Sequence, residues 1–175
     1  MHFRLNLAAL LCSAACLLPQ GAMADTPRYG VTVLGTTGGE AYGINRGGDV
    51  VGWLDSGSGV HAFVYSGGIM SDLGTLGGDS AIARAINDSG AVVGYTYGAS
   101  HYNGFLYSGG ATRAIGTLGG MDSMAFGINN AGQIVGNSTT ADNIQRGFLY
   151  AGGSMLDLGA LAPGARLASE ARSID

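Results

Sequence analysis

The sequence predicts an all-β fold made of repeated four-stranded antiparallel units, and three observations lead to this prediction. The chain of 175 residues contains 33 glycines, and each glycine inside a helix would cost about 1 kcal/mol relative to alanine. Its glycines show no period of three, which excludes collagen, and a composition of 46% apolar and 11% charged residues excludes a disordered chain. Short motifs also recur with a period of about 42 residues, which is typical of stacked repeats.

The repeat is clearest in two dipeptides. Ile-Asn pairs and Val-Gly pairs recur three times each, starting at Ile44, Ile86, Ile128, Val51, Val93 and Val135, and the spacing between neighbouring copies is the same in every interval. The pattern predicts one repeat domain, residues 25–175, with units 36–74, 75–116 and 117–159 and an incomplete fourth unit, 160–175. Residues 29–35 resemble the fourth strand of a preceding unit.

Each unit reads as a meander of four short strands. In the second unit we expect strands at 82–87, 91–95, 104–108 and 111–116, with turns at Asp88-Ser89-Gly90 and Gly109-Gly110. Both faces of such a sheet are apolar, so neighbouring units should cover both. Face-to-face stacking at this period predicts a partial β-propeller of about three blades plus fragments. A β-solenoid is the alternative, but its coils are usually shorter and lack two hairpin turns per unit.

Residues 1–24 have the pattern of a secretory signal peptide. Arg4 precedes an apolar stretch at 5–18, and Ala22-Met23-Ala24 provides the small residues that signal peptidase recognises. The stretch is shorter than the roughly 20 residues of a membrane-spanning helix, so no stable membrane insertion is expected after cleavage. Lipidation at Cys16 is disfavoured because Ser13 stands where a large aliphatic residue is expected. The predicted location is secreted, cell-surface or periplasmic.

Cleavage after Ala24 would change the chemical inventory. Cys12 and Cys16 would both be removed, so disulfides and thiol catalysis are not expected. The remaining 7 arginines and 12 acidic residues give a net charge of −5, with no lysine, which disfavours nucleic-acid partners and Schiff-base chemistry. Only His61 and His101 remain as histidines and neither has a second histidine at ligand spacing, so no metal and no cofactor are predicted. The sequence therefore predicts no enzyme.

Paired carboxylates provide the alternative of a secreted glycan-active hydrolase or lyase, with Asp55 and Asp142 at the rim as candidates. Other acidic residues recur in different units, namely Asp72 with Asp157 and, with a one-residue shift, Asp79 with Asp122. Recurring aspartates of this kind usually cap turns. The recurring residues Asn45, Asn87 and Asn129 are predicted to form Asx turns at the hairpin entry rather than a calcium site, which would need more carboxylates.

A binding surface is predicted where the units differ, in loops between the second and third strands at 53–60, 95–103 and 137–146. These loops supply an aromatic and polar mixture suited to protein or glycan ligands. The candidate binding residues are Trp53, Asp55, Tyr95, Tyr97, His101, Tyr102, Asn143 and Arg146. The alternative interpretation is that surface loops vary without a function. The predicted function is a secreted binding or structural module.

Several motifs together resemble the bacterial extracellular HAF repeat family. They are the string DLGTLGG at 72–78, the segment from Ile86-Asn87 to Gly94, and His61-Ala62-Phe63 in the preceding unit. The resemblance covers residues 29–175 and implies secretion or surface display and a propeller-like fold, with no catalytic residues to transfer. His-Ala-Phe occurs once, and the other units have Asn103-Gly104-Phe105 and Arg146-Gly147-Phe148. The pattern therefore does not mark His61 as an essential residue.

Three units and fragments are fewer than the about four to eight blades of a closed propeller. An open arc leaves an apolar sheet face uncovered at each end. We expect either a non-functional truncated fragment of a longer propeller or self-association of two chains to close a ring.

Overall fold

The computed structural model describes residue 34, residues 38–159 and residues 168–175. The predicted signal peptide, almost all of the strand at 29–35, and residues 160–167 of the incomplete fourth unit lie outside the described residues. The described part of the chain contains twelve β-strands and no helix. It therefore has no helix that is long and apolar enough to cross a membrane.

The strands form three four-stranded sheets, each built from consecutive strands. The first sheet contains β1 (Gly39–Ile44), β2 (Val50–Asp55), β3 (Val60–Ser66) and β4 (Ile69–Gly74). The second contains β5 (Ser80–Ile86), β6 (Val92–Gly98), β7 (His101–Ser108) and β8 (Ala111–Ala114). The third contains β9 (Gly119–Ile128), β10 (Ile134–Thr140), β11 (Gln145–Ala151) and β12 (Ser154–Asp157).

All neighbouring strands within a sheet are antiparallel, so the predicted meander is confirmed. The turn between the third and fourth strands is a glycine pair in every sheet, for example Gly109 and Gly110, with φ of 60° and 82°. Both positions have positive φ, as a two-residue hairpin turn of type I′ requires. The glycine pairs therefore set the position of this hairpin in each unit.

The prediction of long loops between the second and third strands was wrong. In the second sheet, β6 and β7 pair up to Gly98 and His101, which leaves only Ala99 and Ser100 in the turn. Both turn residues have positive φ, at 50° and 70°. The tyrosines of this segment favour paired strands because aromatic side chains pack well on a pleated surface. The loops of the first and third sheets are also short, at 56–59 and 141–144.

A β-bulge in the first strand of each sheet explains the recurring Val-Gly pair. The strand register skips one residue in each case, and the residues without a partner are Tyr42, Arg84 and Phe126. In the second sheet, a Cβ at Gly94 would lie 2.0 Å from the carbonyl oxygen of Ile82. No side chain can be accommodated at that distance, so glycine is required opposite each bulge.

Two apolar clusters hold the three sheets together. The cluster between the first and second sheets includes Val51, Ala83, Val92 and Phe105. The cluster between the second and third sheets repeats the same kinds of contact and consists of Ala91, Val93, Ile115, Ala125, Ile128, Ile134, Phe148 and Tyr150. The first strand of one sheet packs on the sheet before it: β5 contacts β1, β2 and β3, and β9 contacts β5, β6 and β7. Both faces of the second sheet are therefore covered, as its apolar pattern predicts.

Apolar positions at both ends of this stack are exposed. Ile44 is 69% exposed, whereas Ile86 and Ile128 at the same repeat position are each 8% exposed. At the other end Leu158 is 50% exposed, whereas its counterpart Ile115 is 5% exposed. Among the described residues, the three sheets do not close into a ring.

Residues 168–175 lie against the third sheet in extended form. The Ser169 N–H donates to the Gln145 carbonyl (3.2 Å), and the Ala171 N–H donates to the Gly136 carbonyl (3.3 Å). At its end, Asp175 occupies the place of the Ile-Asn asparagine, because its carbonyl accepts from the Asn129 side chain (3.1 Å). The segment therefore adopts the position of the opening strand of a fourth unit.

Candidate functional site

The structure places most of the predicted binding residues in paired strands rather than in loops. On the first sheet Trp53 and Asp55 belong to β2, and the third sheet carries Arg146 in β11 and Asn143 in the turn before it. The other four candidates belong to the second sheet and are Tyr95, Tyr97, His101 and Tyr102. The predicted residues are thus distributed over three sheets.

Three tyrosines of the second sheet come together. Tyr97 and Tyr102 are cross-strand partners, and their ring centroids are 5.0 Å apart. The ring of Tyr95 meets that of Tyr102 edge-on at 5.7 Å. T-shaped and tilted contacts at these distances are favourable arrangements of aromatic rings. The sequence therefore predicted three residues of an aromatic cluster, but it assigned them to a loop, whereas they lie in paired strands.

The bulged residues of the first strands extend this cluster, and the sequence prediction missed them. The Arg84 guanidinium carbon lies 4.1 Å from the centroid of the Tyr42 ring and 5.6 Å from that of the Phe126 ring. Phe126 in turn meets Tyr95 edge-on at 6.4 Å. A cation between two aromatic rings is held by the negative electrostatic potential of the ring faces. The signal that could have found these residues is their recurrence at one repeat position, just before each Ile-Asn pair.

We call these six side chains the aromatic patch: Tyr42, Arg84, Tyr95, Tyr97, Tyr102 and Phe126. They are connected by an unbroken series of ring and cation contacts across all three sheets. Tyr42, Tyr97 and Tyr102 are 40%, 40% and 37% exposed. A contiguous group of exposed aromatic side chains often marks a binding surface.

The surroundings of Tyr95 and Glu40 determine the protonation of these two groups at the aromatic patch. Burial raises the pKa of the Tyr95 hydroxyl, although the charge of Arg84 opposes this effect. Tyr95 therefore stays protonated at neutral pH and can both donate and accept. Beside the patch, the hydroxyl of Tyr42 and the Trp53 Nε1 (3.5 Å) donate to Glu40. These two hydrogen bonds lower the pKa of the Glu40 carboxyl, which is therefore a charged acceptor.

Asp122 connects the second and third sheets beside the aromatic patch. Its carboxylate accepts from the Tyr102 N–H at 2.9 Å and lies 3.8 Å from the Nδ1 of His101. The prediction that this aspartate caps a turn was wrong, because its oxygen reaches across the sheet boundary. The contact fixes β7, and with it the Tyr102 ring, relative to β9.

At the first hairpin of each sheet, the recurring asparagine accepts an N–H of its own turn, and Asn87 forms the predicted Asx turn. The Asn87 Oδ1 accepts from the N–H groups of Ser89 and Ala91, and the Asn87 Nδ2 donates to the Asn129 carbonyl at 3.1 Å. Asn45 makes the equivalent bond to the Asn87 carbonyl at 3.1 Å. The asparagines therefore connect successive sheets, a role that a single unit cannot reveal.

Three of the aspartates cap turns. Asp72 and Asp157 accept from the N–H groups of Gly74 and Gly159, both at 2.7 Å, as predicted. Asp55 accepts from the Gly57 N–H at 2.9 Å. In the described part of the chain there is no group of three or more histidine, cysteine, aspartate or glutamate side chains that could hold a metal ion.

Comparisons with known proteins give no relative from which a role could be assigned. No protein-family model, no curated protein and no solved structure matches the chain.

Proposed function

We propose that the protein is a secreted or cell-surface binding module and that the aromatic patch is its ligand-binding surface. The single observation that carries this proposal is the continuous series of ring and cation contacts around Arg84, which leaves three tyrosines well exposed. The resemblance to the bacterial extracellular HAF repeat family and the signal-like segment 1–24 support the extracellular location.

A glycan is the ligand class that this surface fits best. The exposed Tyr97 and Tyr102 offer ring surface, on which the apolar face of a sugar can stack, and hydroxyls that can bond to the sugar hydroxyls. Arg84 adds a planar donor group, and Glu40 adds a charged acceptor at the edge. A protein segment is the alternative ligand, since tyrosine and arginine also predominate at protein interfaces.

A binding screen with a paired set of variants tests this proposal. The purified protein is applied to a glycan array and a protein array, and the best ligand is titrated by calorimetry. We expect a glycan to bind and the double variant Tyr97→Ala/Tyr102→Ala to weaken binding at least about tenfold, since each stacked ring contributes about 1 kcal/mol. The matched control is Tyr97→Phe/Tyr102→Phe, which keeps the rings and should retain most of the affinity.

Three outcomes of the screen are informative. If a protein ligand binds and the alanine variant abolishes this binding, the aromatic patch remains the binding surface and its ligand is a protein rather than a glycan. Ligand binding that is unaffected by the alanine variant would contradict the assignment of the aromatic patch. Turnover of a glycan, abolished by Asp55→Ala, would favour the glycan-active enzyme over the binding module.

We also propose that the three sheets are consecutive blades of a β-propeller. The repeated packing of each first strand on the preceding sheet, and the asparagine bonds between successive hairpins, support this arrangement. The exposed Ile44 and Leu158 lie at positions that the neighbouring sheet covers within the stack. Head-to-tail association of two chains through these outer faces would complete the burial that the inner sheets already have.

A further inference from the structure

A second group of polar side chains lies on the first sheet, separate from the aromatic patch. The Ser56 Oγ is 3.2 Å from the Nε2 of His61, and the Nδ1 of His61 is 2.9 Å from the Oδ2 of Asp72. Ser56 belongs to the turn between β2 and β3, whereas His61 and Asp72 lie in β3 and β4. We infer that these three residues form a nucleophilic triad that transfers acyl groups from esters to Ser56.

Strand register positions the histidine and the aspartate on one face. His61 pairs with Leu54, and Phe63, two residues further along β3, pairs with Asp72. Residues two apart in a strand point to the same face. The two side chains therefore meet diagonally on the outer face of the first sheet, and Ser56 reaches His61 from the hairpin end.

The aspartate is held as an anion that orients the imidazole. Partial burial works against the charge of Asp72. The hydrogen bonds from His61 and from the Gly74 N–H outweigh it, so the pKa of the Asp72 carboxyl lies below its ordinary value. An ionised carboxylate facing Nδ1 keeps the proton on that nitrogen, which leaves Nε2 as the acceptor for the serine hydroxyl.

The same positions in the other sheets show that the hairpin does not need this triad to fold. In the second sheet Asn103 and Ala114 replace His61 and Asp72, and the strands pair in the same register. The Ser56 hydroxyl donates to the Gly59 carbonyl (3.0 Å), lies 2.9 Å from the Ser58 Oγ, and accepts from the Ser58 N–H at 3.2 Å. These contacts hold the Oγ within 3.2 Å of Nε2, and the hydroxyl proton must rotate from the Gly59 carbonyl to Nε2 before the serine can react.

The reaction that fits is ester hydrolysis through an acyl-serine. The Ser56 Oγ bonds to the ester carbonyl carbon while its proton moves to the His61 Nε2, and the leaving alcohol takes that proton as its bond to carbon breaks. Water then attacks the acyl group with its proton passing to Nε2, the acid leaves, and the proton returns to Oγ. The imidazolium formed in each step lies against the Asp72 carboxylate.

The triad is accessible at the end of the hairpin. The hairpin end that carries the triad stays open to solvent. Asn103 and Ala114 occupy the positions of His61 and Asp72 in the second sheet, and they are exposed although the first sheet packs on that face. A second chain packed in the same way on the first sheet would therefore leave the triad accessible.

Acylation by p-nitrophenyl acetate tests this inference. The folded protein is mixed with the ester, nitrophenolate release is followed, and the acetylated residue is identified by peptide mass spectrometry. We expect acetyl-Ser56, with the rate lowered about a hundredfold or more in Ser56→Ala and in His61→Asn. His61→Asn copies the residue of the second sheet, so it should fold, which circular dichroism checks.

The matched control is Ser71→Ala, which removes an exposed serine of the same sheet on the opposite face and should react like the unaltered protein. Labelling of Ser56 no faster than in the urea-unfolded protein would overturn the proposal, as would an unchanged rate in folded His61→Asn. Glycan binding measured on the same variants keeps the two proposals separate, because neither substitution touches the aromatic patch.

Discussion

Hydrogen bonds of single asparagines connect each repeat to the next. Asn87 is 5% exposed, caps its own turn through Oδ1, and donates to the carbonyl of Asn129 in the following sheet. Aspartate could accept the turn bonds but could not donate to the next carbonyl. The recurrence of asparagine predicts the turn, whereas the bond to the next sheet depends on the spatial stacking of successive units.

Replacing Asn87 with alanine should destabilise the protein markedly. The change leaves the Ala91 N–H without its acceptor in a buried site, so we expect the free energy of unfolding to fall by about 2–3 kcal/mol. Asn130→Ala is the control, because Asn130 bonds to Asp88 at an exposed position and should cost about 0.5–1 kcal/mol. Urea denaturation measures both, and equal losses would show that the buried bonds of Asn87 contribute no more than the exposed bonds of Asn130.

The strand pairs show which parts of the fold the sequence could predict. Glycine pairs and the constant repeat period predicted the number of strands, their order and the hairpin between the third and fourth strands. The extent of the other hairpin was wrong, because Tyr97 and Tyr102 were interpreted as loop residues although they are a cross-strand pair. The bulge at Arg84 was not predictable from a single unit, since it depends on backbone register.

The comparison of units within the sequence also explains which residues of the aromatic patch could be predicted. Comparing the units identified the tyrosines through their difference from the other units. It overlooked Tyr42, Arg84 and Phe126, because an arginine between two aromatic residues at one repeat position does not look like a shared motif. Their relation appears only when the sheets stack and bring the three side chains together.

The glycine position opposite the bulge should accommodate no side chain. In Gly94→Ala the new Cβ would approach the Ile82 carbonyl oxygen to 2.0 Å, so the strands must shift. We expect a loss of about 2–4 kcal/mol in the free energy of unfolding. Gly38→Ala is the control, because its nearest contact would be an ordinary 3.8 Å and its φ is not positive. A Gly94→Ala loss as small as that of the control, measured by thermal unfolding, would contradict the role of the bulge.

At the scale of the whole molecule, both ends of the stack expose an apolar residue. The first sheet exposes Ile44 where the second and third sheets bury Ile86 and Ile128, and the third sheet exposes Leu158 where the second buries Ile115. Each face presents the apolar residue that a neighbouring sheet covers elsewhere in the stack. The central proposal is therefore that two copies of this three-sheet stack associate through the exposed apolar positions at its ends.

Light scattering of the purified protein tests this claim most directly, combined with thermal unfolding. We predict a particle with twice the mass of one chain, and a shift to the mass of one chain in Ile44→Asp, which places a charge on the outer face. Asp142→Asn, an exposed change in the hairpin turn of the third sheet, is the control and should leave the dimer intact. A monomer with a cooperative melt in the unaltered protein would contradict the claim.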